Sequence, residues 1–199
     1  MDEKNIKRNE ILDSARLLFK ENGFQKTKME DIALKAGVGK GTLYEYFSSK
    51  QEIFDETCVD YVRSIRDYMK EISELDISFK DKLITLFKGG KNDLRIEEGF
   101  EKNPVDYIMS YKNIISEKFV KTMFEYVADM NKIIINIIDQ GKAEGIVINE
   151  IPSDIIACSV VGTMGEYFKL KMQKKDSTLN DDDIIFSLLY NGFSVKKEI

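Results

Sequence analysis

Histidine is absent from the chain, and cysteine occurs twice, at Cys58 and Cys158, far apart and outside any C-x-x-C pair. Without histidine, most zinc sites and every histidine-dependent catalytic triad are excluded. The two distant thiols are expected to be buried free cysteines. Proline is almost as scarce, 2 residues against 12 glycines, which favours long uninterrupted helices, and strand signals are few. No long apolar run exists: the greasiest stretch, KIIINIID, is far too short to cross a bilayer. The start MDEKNIKRNE has charges with no apolar stretch behind it, so no secretory signal is expected and the expected location is cytoplasmic. Neither G-x-x-x-x-G-K-[ST] nor G-x-G-x-x-G occurs; GVGKGT is only a loose likeness of a phosphate loop, because no strand pattern precedes it and its lysine is misplaced. The chain is therefore expected to be no enzyme, with no catalytic residues, no cofactor and no metal.

What is present is a folded composition: 199 residues, 43% hydrophobic and 33% charged, enough for one large domain or two small ones. The net charge of -5 hides a polarity, since residues 1–50 hold ten basic and eight acidic side chains while residues 51–199 hold 20 and 27. A basic segment on an acidic chain points to a nucleic-acid module. In residues 7–22, Ile11, Leu12, Ala15, Leu18 and Phe19 form the stripe of an amphipathic helix that Gly23 closes. A second short helix, about Met29 to Ala36, turns Ile32 and Ala33 inward, and Gly37 supplies the positive φ of a sharp reversal. A third runs from Gly39 or Lys40 to about Phe47, with Leu43 and Phe47 on one face. Three short helices with a glycine turn between the last two describe a helix-turn-helix over residues 1–49.

At ~100° per residue, Gly41, Thr42, Tyr44 and Glu45 project opposite Leu43 and Phe47. A glycine there gains a solvated helix nothing, but it lets something bulky approach the backbone. Thr42 suits a base edge or a thymine methyl, Lys40 a phosphate, and the hydroxyls of Tyr44 and Tyr46 and the ammonium of Lys50 the DNA backbone. Glu45 either accepts from a cytosine amino group or points aside. Tyr46 as packing, and Lys40 or Lys50 as ordinary surface lysines, are the alternatives for those residues.

Residues 50–199 also read as helices: about 50–73, 79–88, one opened by Asn103-Pro104, 117–142, 153–172 and 181–195, making about nine in an all-α chain. The middle of the long one, VADMNKIIINII, looks apolar on nearly all sides, as a central buried helix would. GGKNDLRIEEGFEKN, residues 89–103, is the least structured stretch, either a lid or merely a loop. The last two helices carry more apolar residues than one core face can hide, among them Ile155, Val161, Ile184 and Leu188. A two-fold dimer through a four-helix bundle would hide the excess, with Ala157, Ser159, Gly162 and Gly165 letting backbones come close. A single tight monomer core is the alternative.

ENGFQKTKMEDIALKAGVGKGTLYEYFSSKQEIF, residues 21–54, resembles the DNA-binding signature of the TetR family of transcriptional repressors. The likeness lies in the glycine before the aromatic, the threonine, the Ile-Ala pair, the Ala-Gly-Val turn, Gly-Thr-Leu-Tyr, Tyr-Phe and the trailing lysine. It implies a homodimer joined through the last two helices, with a helical effector domain over residues 50–199 that releases a palindromic DNA operator when a small molecule binds. Carried over residue by residue, the DNA contacts implied are Thr27, Lys28, Gly39, Lys40, Gly41, Thr42, Tyr44, Tyr46 and Lys50. Lys28 and Gly39 depart from the family, which has small capping hydroxyls at both places, so Lys28 is expected to grip phosphate by charge instead. For the effector, Phe100, Tyr107, Tyr111, Met123, Phe124 and Met164 suit an apolar or flat molecule, with core packing as the alternative for each. A ligand-independent dimer that bridges DNA is the competing function.

Overall fold

The computed structural model describes residues 3–88, 116–173 and 181–194. The helix expected from Pro104, the stretch 89–103 and the expected effector residues Phe100, Tyr107 and Tyr111 lie outside them. The described residues form eight helices: α1 (Glu3–Lys26), α2 (Met29–Lys35), α3 (Lys40–Tyr46), α4 (Lys50–Glu74), α5 (Phe79–Lys88), α6 (Glu117–Ala143), α7 (Ser153–Gln173) and α8 (Asp181–Phe193). Among them there is no strand, only an isolated bridge between Val147 and Ser194, so the all-α expectation holds. No helix among the described residues is long and apolar enough to cross a membrane.

Residues 3–63 and 116–123 gather into one compact unit, and residues 64–88, 124–173 and 181–194 into another. In the first, the α1 stripe of Ile11, Leu12, Ala15, Leu18 and Phe19 is buried against Ile32, Ala33, Leu43 and Phe47. Helix α4 adds Ile53, Phe54 and Cys58 to the same core, so the unit runs past residue 49, where the sequence suggests a division, to Arg63. Phe19, Phe24 and Phe54 meet with centroids 5.0–5.8 Å apart, two of the pairs edge-to-face. Helix α1 starts four residues before the first expected position, and Gly23, at φ 74°, breaks it where the C-cap was expected. The α2–α3 turn is a Schellman motif: Val38 N–H donates to Ala33 O at 3.0 Å and Gly37 N–H to Leu34 O at 3.2 Å, with Gly37 at φ 65°.

In the second unit, α6 is not apolar all round. Ile134, Ile137 and Ile138 are buried, whereas Asp129, Lys132, Asn136 and Asp139, spaced three and four apart, form an exposed polar stripe. The helix is amphipathic, and the run of isoleucines hid that period. Its C-terminal end presses on α5: an added Cβ on Gly141 would stand 2.7 Å from both Phe79 Cγ and Val147 Cγ2. Glu144 then accepts from the Phe79 N–H at 3.1 Å, placing an anion at the N-terminus of α5. Phe79, Phe186, Tyr190 and Phe193 complete the core as an aromatic cluster.

Two further expectations are corrected. Cys58 is buried, and burial pushes its thiol up to about 12, but Cys158 is exposed on α7. Ala157, expected at a dimer contact, is 3% exposed inside the second core, because it lies beside Ile156 and Val160 on the inward side of α7.

Gly141→Ala is expected to lower stability. Overpacking costs about 1–3 kcal/mol against a helix-propensity gain of about 1 kcal/mol. A urea midpoint equal to or above that of the parent would contradict so close an approach.

Candidate nucleic-acid interface

Helix α3 spans only Lys40–Tyr46, too short to persist alone, and is held by its inward side chains, Leu43 at 0% and Phe47 at 1% exposure. Its backbone closes with Leu43 N–H to Gly39 O and Phe47 N–H to Leu43 O, both at 3.0 Å. With those two residues seated, Gly41, Tyr44 and Glu45 are exposed and Thr42 half-exposed, as the helical period requires. Beyond its chain neighbours and its own helix backbone, no atom lies within 4 Å of where a Gly41 Cβ would stand. The result is a low ridge of bare backbone flanked by a hydroxyl and a phenol, a surface that can be approached to contact distance. Tyr46 is half-buried against the first core, which favours packing for that ring.

The basic residues divide. Lys28 is exposed at the N-terminus of α2; its side chain caps nothing, but its N–H donates to Asp31 Oδ2 at 3.0 Å, half of a capping box that needs no hydroxyl. Gly39 caps α3 with no side-chain bond. Lys40 Nζ lies 2.6 Å from Glu30 Oε1, an exposed ion pair that lowers the glutamate's proton affinity and raises the lysine's through the hydrogen bond between them.

Two of the expected DNA contacts make hydrogen bonds within the protein. Thr27 is 1% exposed, and its one hydroxyl proton is shared between Gly23 O at 2.9 Å and Leu18 O at 3.2 Å. Lys50 donates to Phe24 O at 2.6 Å and Thr27 O at 2.8 Å, and its ammonium sits 4.3 Å from the centre of the Phe24 ring. Burial alone holds its proton affinity below the usual lysine value. Together they pin the turn between α1 and α2, Lys50 binding the Phe24 and Thr27 carbonyls where α1 ends. Sequence reasoning also missed Arg8, which lies 5.0 Å over the Phe47 ring and pairs with Glu56, bracing α3 from its inner side. No local motif marks Lys50 or Arg8, because their partners are distant along the chain.

Of the expected effector residues described, Met123 is half-buried against the first core, Met164 against the second, and Phe124 is 70% exposed on α6. The first two fit the packing alternative. On α7 and α8, which pack on each other, Ile155, Cys158, Val161 and Gly162 are exposed, as are Ile184 and Leu188 at 66% and 70%. This apolar face lacks a partner among the described residues of the single chain.

Residues 11–57 match the model of the bacterial regulatory proteins of the tetR family. The HTH-type transcriptional repressor KstR2 of Mycobacterium tuberculosis is 26% identical over 156 residues, covering 76% of this chain and 74% of that one. The biofilm operon icaADBC negative regulator IcaR of Staphylococcus aureus is 36% identical over 61 residues, 29% of this chain and 33% of that one. Among solved structures, the regulator FadR of Bacillus subtilis, in complex with stearoyl-CoA, has the same fold, with a TM-score of 0.66 at 19% identity over 93% of this chain and 98% of that one.

If Thr27 and Lys50 are structural, Thr27→Val and Lys50→Met each lose about 1–3 kcal/mol in chemical denaturation. Unchanged stability with lost DNA affinity would make them DNA contacts instead.

Proposed function

The chain belongs to the TetR family of DNA-binding transcriptional regulators, and from that premise we propose that it is a homodimeric repressor whose operator is released when an apolar small molecule binds. The observation that carries the reading is the outward ridge of α3: Gly41 open to solvent, Thr42 and Tyr44 beside it. That ridge fits a major groove, with Thr42 toward base edges and the Tyr44 hydroxyl, Lys28 and Lys40 toward phosphates. Two such helices related by a two-fold axis would read half-sites ~34–36 Å apart on a near-palindromic site. The exposed face of Ile155, Val161, Ile184 and Leu188 supports α7 and α8 as the dimer contact.

For the effector, the support is chemical kinship. FadR of B. subtilis is described with stearoyl-CoA and KstR2 as a ketosteroid regulator, both pointing to apolar molecules, and the exposed Phe124 is a side chain of that kind. A ligand favouring the conformer with the wrong half-site spacing weakens operator binding by linkage, typically by about 1–3 kcal/mol.

In anisotropy titrations against duplexes selected from a random pool, Tyr44→Ala weakens binding to every sequence, whereas Thr42→Ala changes which sequence is preferred. Ile184→Asp combined with Leu188→Asp gives a folded monomer that has lost the operator. Unchanged affinity in all three would reject the assignment. Long-chain acyl-CoAs and steroids are expected to include one class that raises the melting temperature and frees the operator. Operator binding indifferent to every compound would favour the ligand-independent bridging protein.

A further inference from the structure

Lys50 and Thr27 make hydrogen bonds within the protein, whereas Lys28, just before α2, and Lys40, the first residue of α3, are exposed. Glu30 stands with both. Its carboxylate is within 2.6 Å of the Lys40 ammonium, and Lys28 is close enough to contribute to lowering its proton affinity. The Glu30 and Lys40 side chains are both more than half exposed. An exposed pair of this kind contributes little to folding, so the domain does not need it to stand. Facing a duplex, the same carboxylate matters more, since DNA presents a phosphate charge every ~1.7 Å of its axis. Asp31, which takes the Lys28 N–H, and the exposed Glu45 add negative charge to the same surroundings.

We propose that Glu30 is a positioning and specificity-determining residue: it tethers Lys40 and offsets the charge of Lys40 and Lys28, so that DNA of arbitrary sequence is held weakly and operator binding depends on the Thr42–Tyr44 ridge. The inference rests on the DNA-binding reading above. A lysine ion-paired to its own protein releases fewer counterions from DNA than a free one, because its gain on reaching a phosphate is reduced by what it leaves behind. A specificity ratio rises when the sequence-independent contribution falls, even with base contacts unchanged. The tether also fixes where a flexible four-carbon stem ends, at the first residue of α3.

The test uses the full chain and two probes, a random-sequence duplex and an operator selected from a random pool, titrated over a series of salt concentrations. Glu30→Gln is expected to tighten the random duplex by about three- to tenfold at low salt and to steepen its salt slope by about one. The operator gains less, so the operator-to-random ratio falls, with the melting curve unchanged. In a Lys40→Ala background the gain shrinks to the part that Lys28 and the lost carboxylate charge supply. Glu21→Gln, which removes a separate ion pair between α1 and α2, Glu21 to Lys35 at 3.5 Å, leaves the ratio as it was. An unchanged or weaker random-duplex affinity for Glu30→Gln, an equal gain without Lys40, or an equal effect from Glu21→Gln would overturn the proposal. Wild-type protein that binds neither duplex at low salt would overturn the DNA-binding reading itself, a result distinct from the others.

Discussion

The seating of Leu43 and Phe47 is the constraint on which the interface depends. Seven residues of helix cannot hold their shape in water, so α3 exists because these two side chains are sealed into the first core at 0% and 1% exposure. Burial of each contributes about 1.5–3 kcal/mol. It also fixes the rotation of the helix about its axis. Once two residues four apart are inward, Gly41, Tyr44 and Glu45 have only the outside to occupy, and the surface offered to DNA follows from the core rather than from any property of that surface.

Around this seat the polar chemistry is divided between holding and reaching. Thr27 and Lys50 bind carbonyls of the α1–α2 turn, and Arg8 covers Phe47 and pairs with Glu56. The Lys50 ammonium satisfies the Phe24 and Thr27 carbonyls where α1 ends. Lys28, Lys40 and Tyr44 are exposed and Thr42 half-exposed. A domain this small has few side chains to assign to each task. Its preference for a particular DNA sequence therefore depends on a short ridge and on how strongly nearby acids restrain two lysines.

Much of this was legible beforehand. The limits of α2 to α5 and of α7 follow within a residue or so from apolar spacing and the glycines, and the outward set on α3 follows from the helical period alone. What was not legible has three sources. Lys50 reaches carbonyls 23 to 26 residues away and Lys40 pairs with a glutamate on another helix, contacts that no local pattern encodes. The isoleucine run of α6 masked a polar stripe that only shows at three- and four-residue spacing. Cys158 and Ala157 exchanged their expected environments because the apolar residues of α7 surround the helix, leaving no periodic sign of which side faces the core.

The most direct measurement pairs stability with DNA affinity in Gly41→Leu. Beyond the chain neighbours and the helix's own backbone, nothing stands within 4 Å of a Cβ at this position, and leucine is the better helix former by about 0.8–1 kcal/mol. The account predicts a variant at least as stable as the parent in urea, with operator and random-duplex affinity reduced tenfold or more because the added side chain holds the duplex off the backbone. A stable Gly41→Leu protein that binds DNA as tightly as the parent would contradict it.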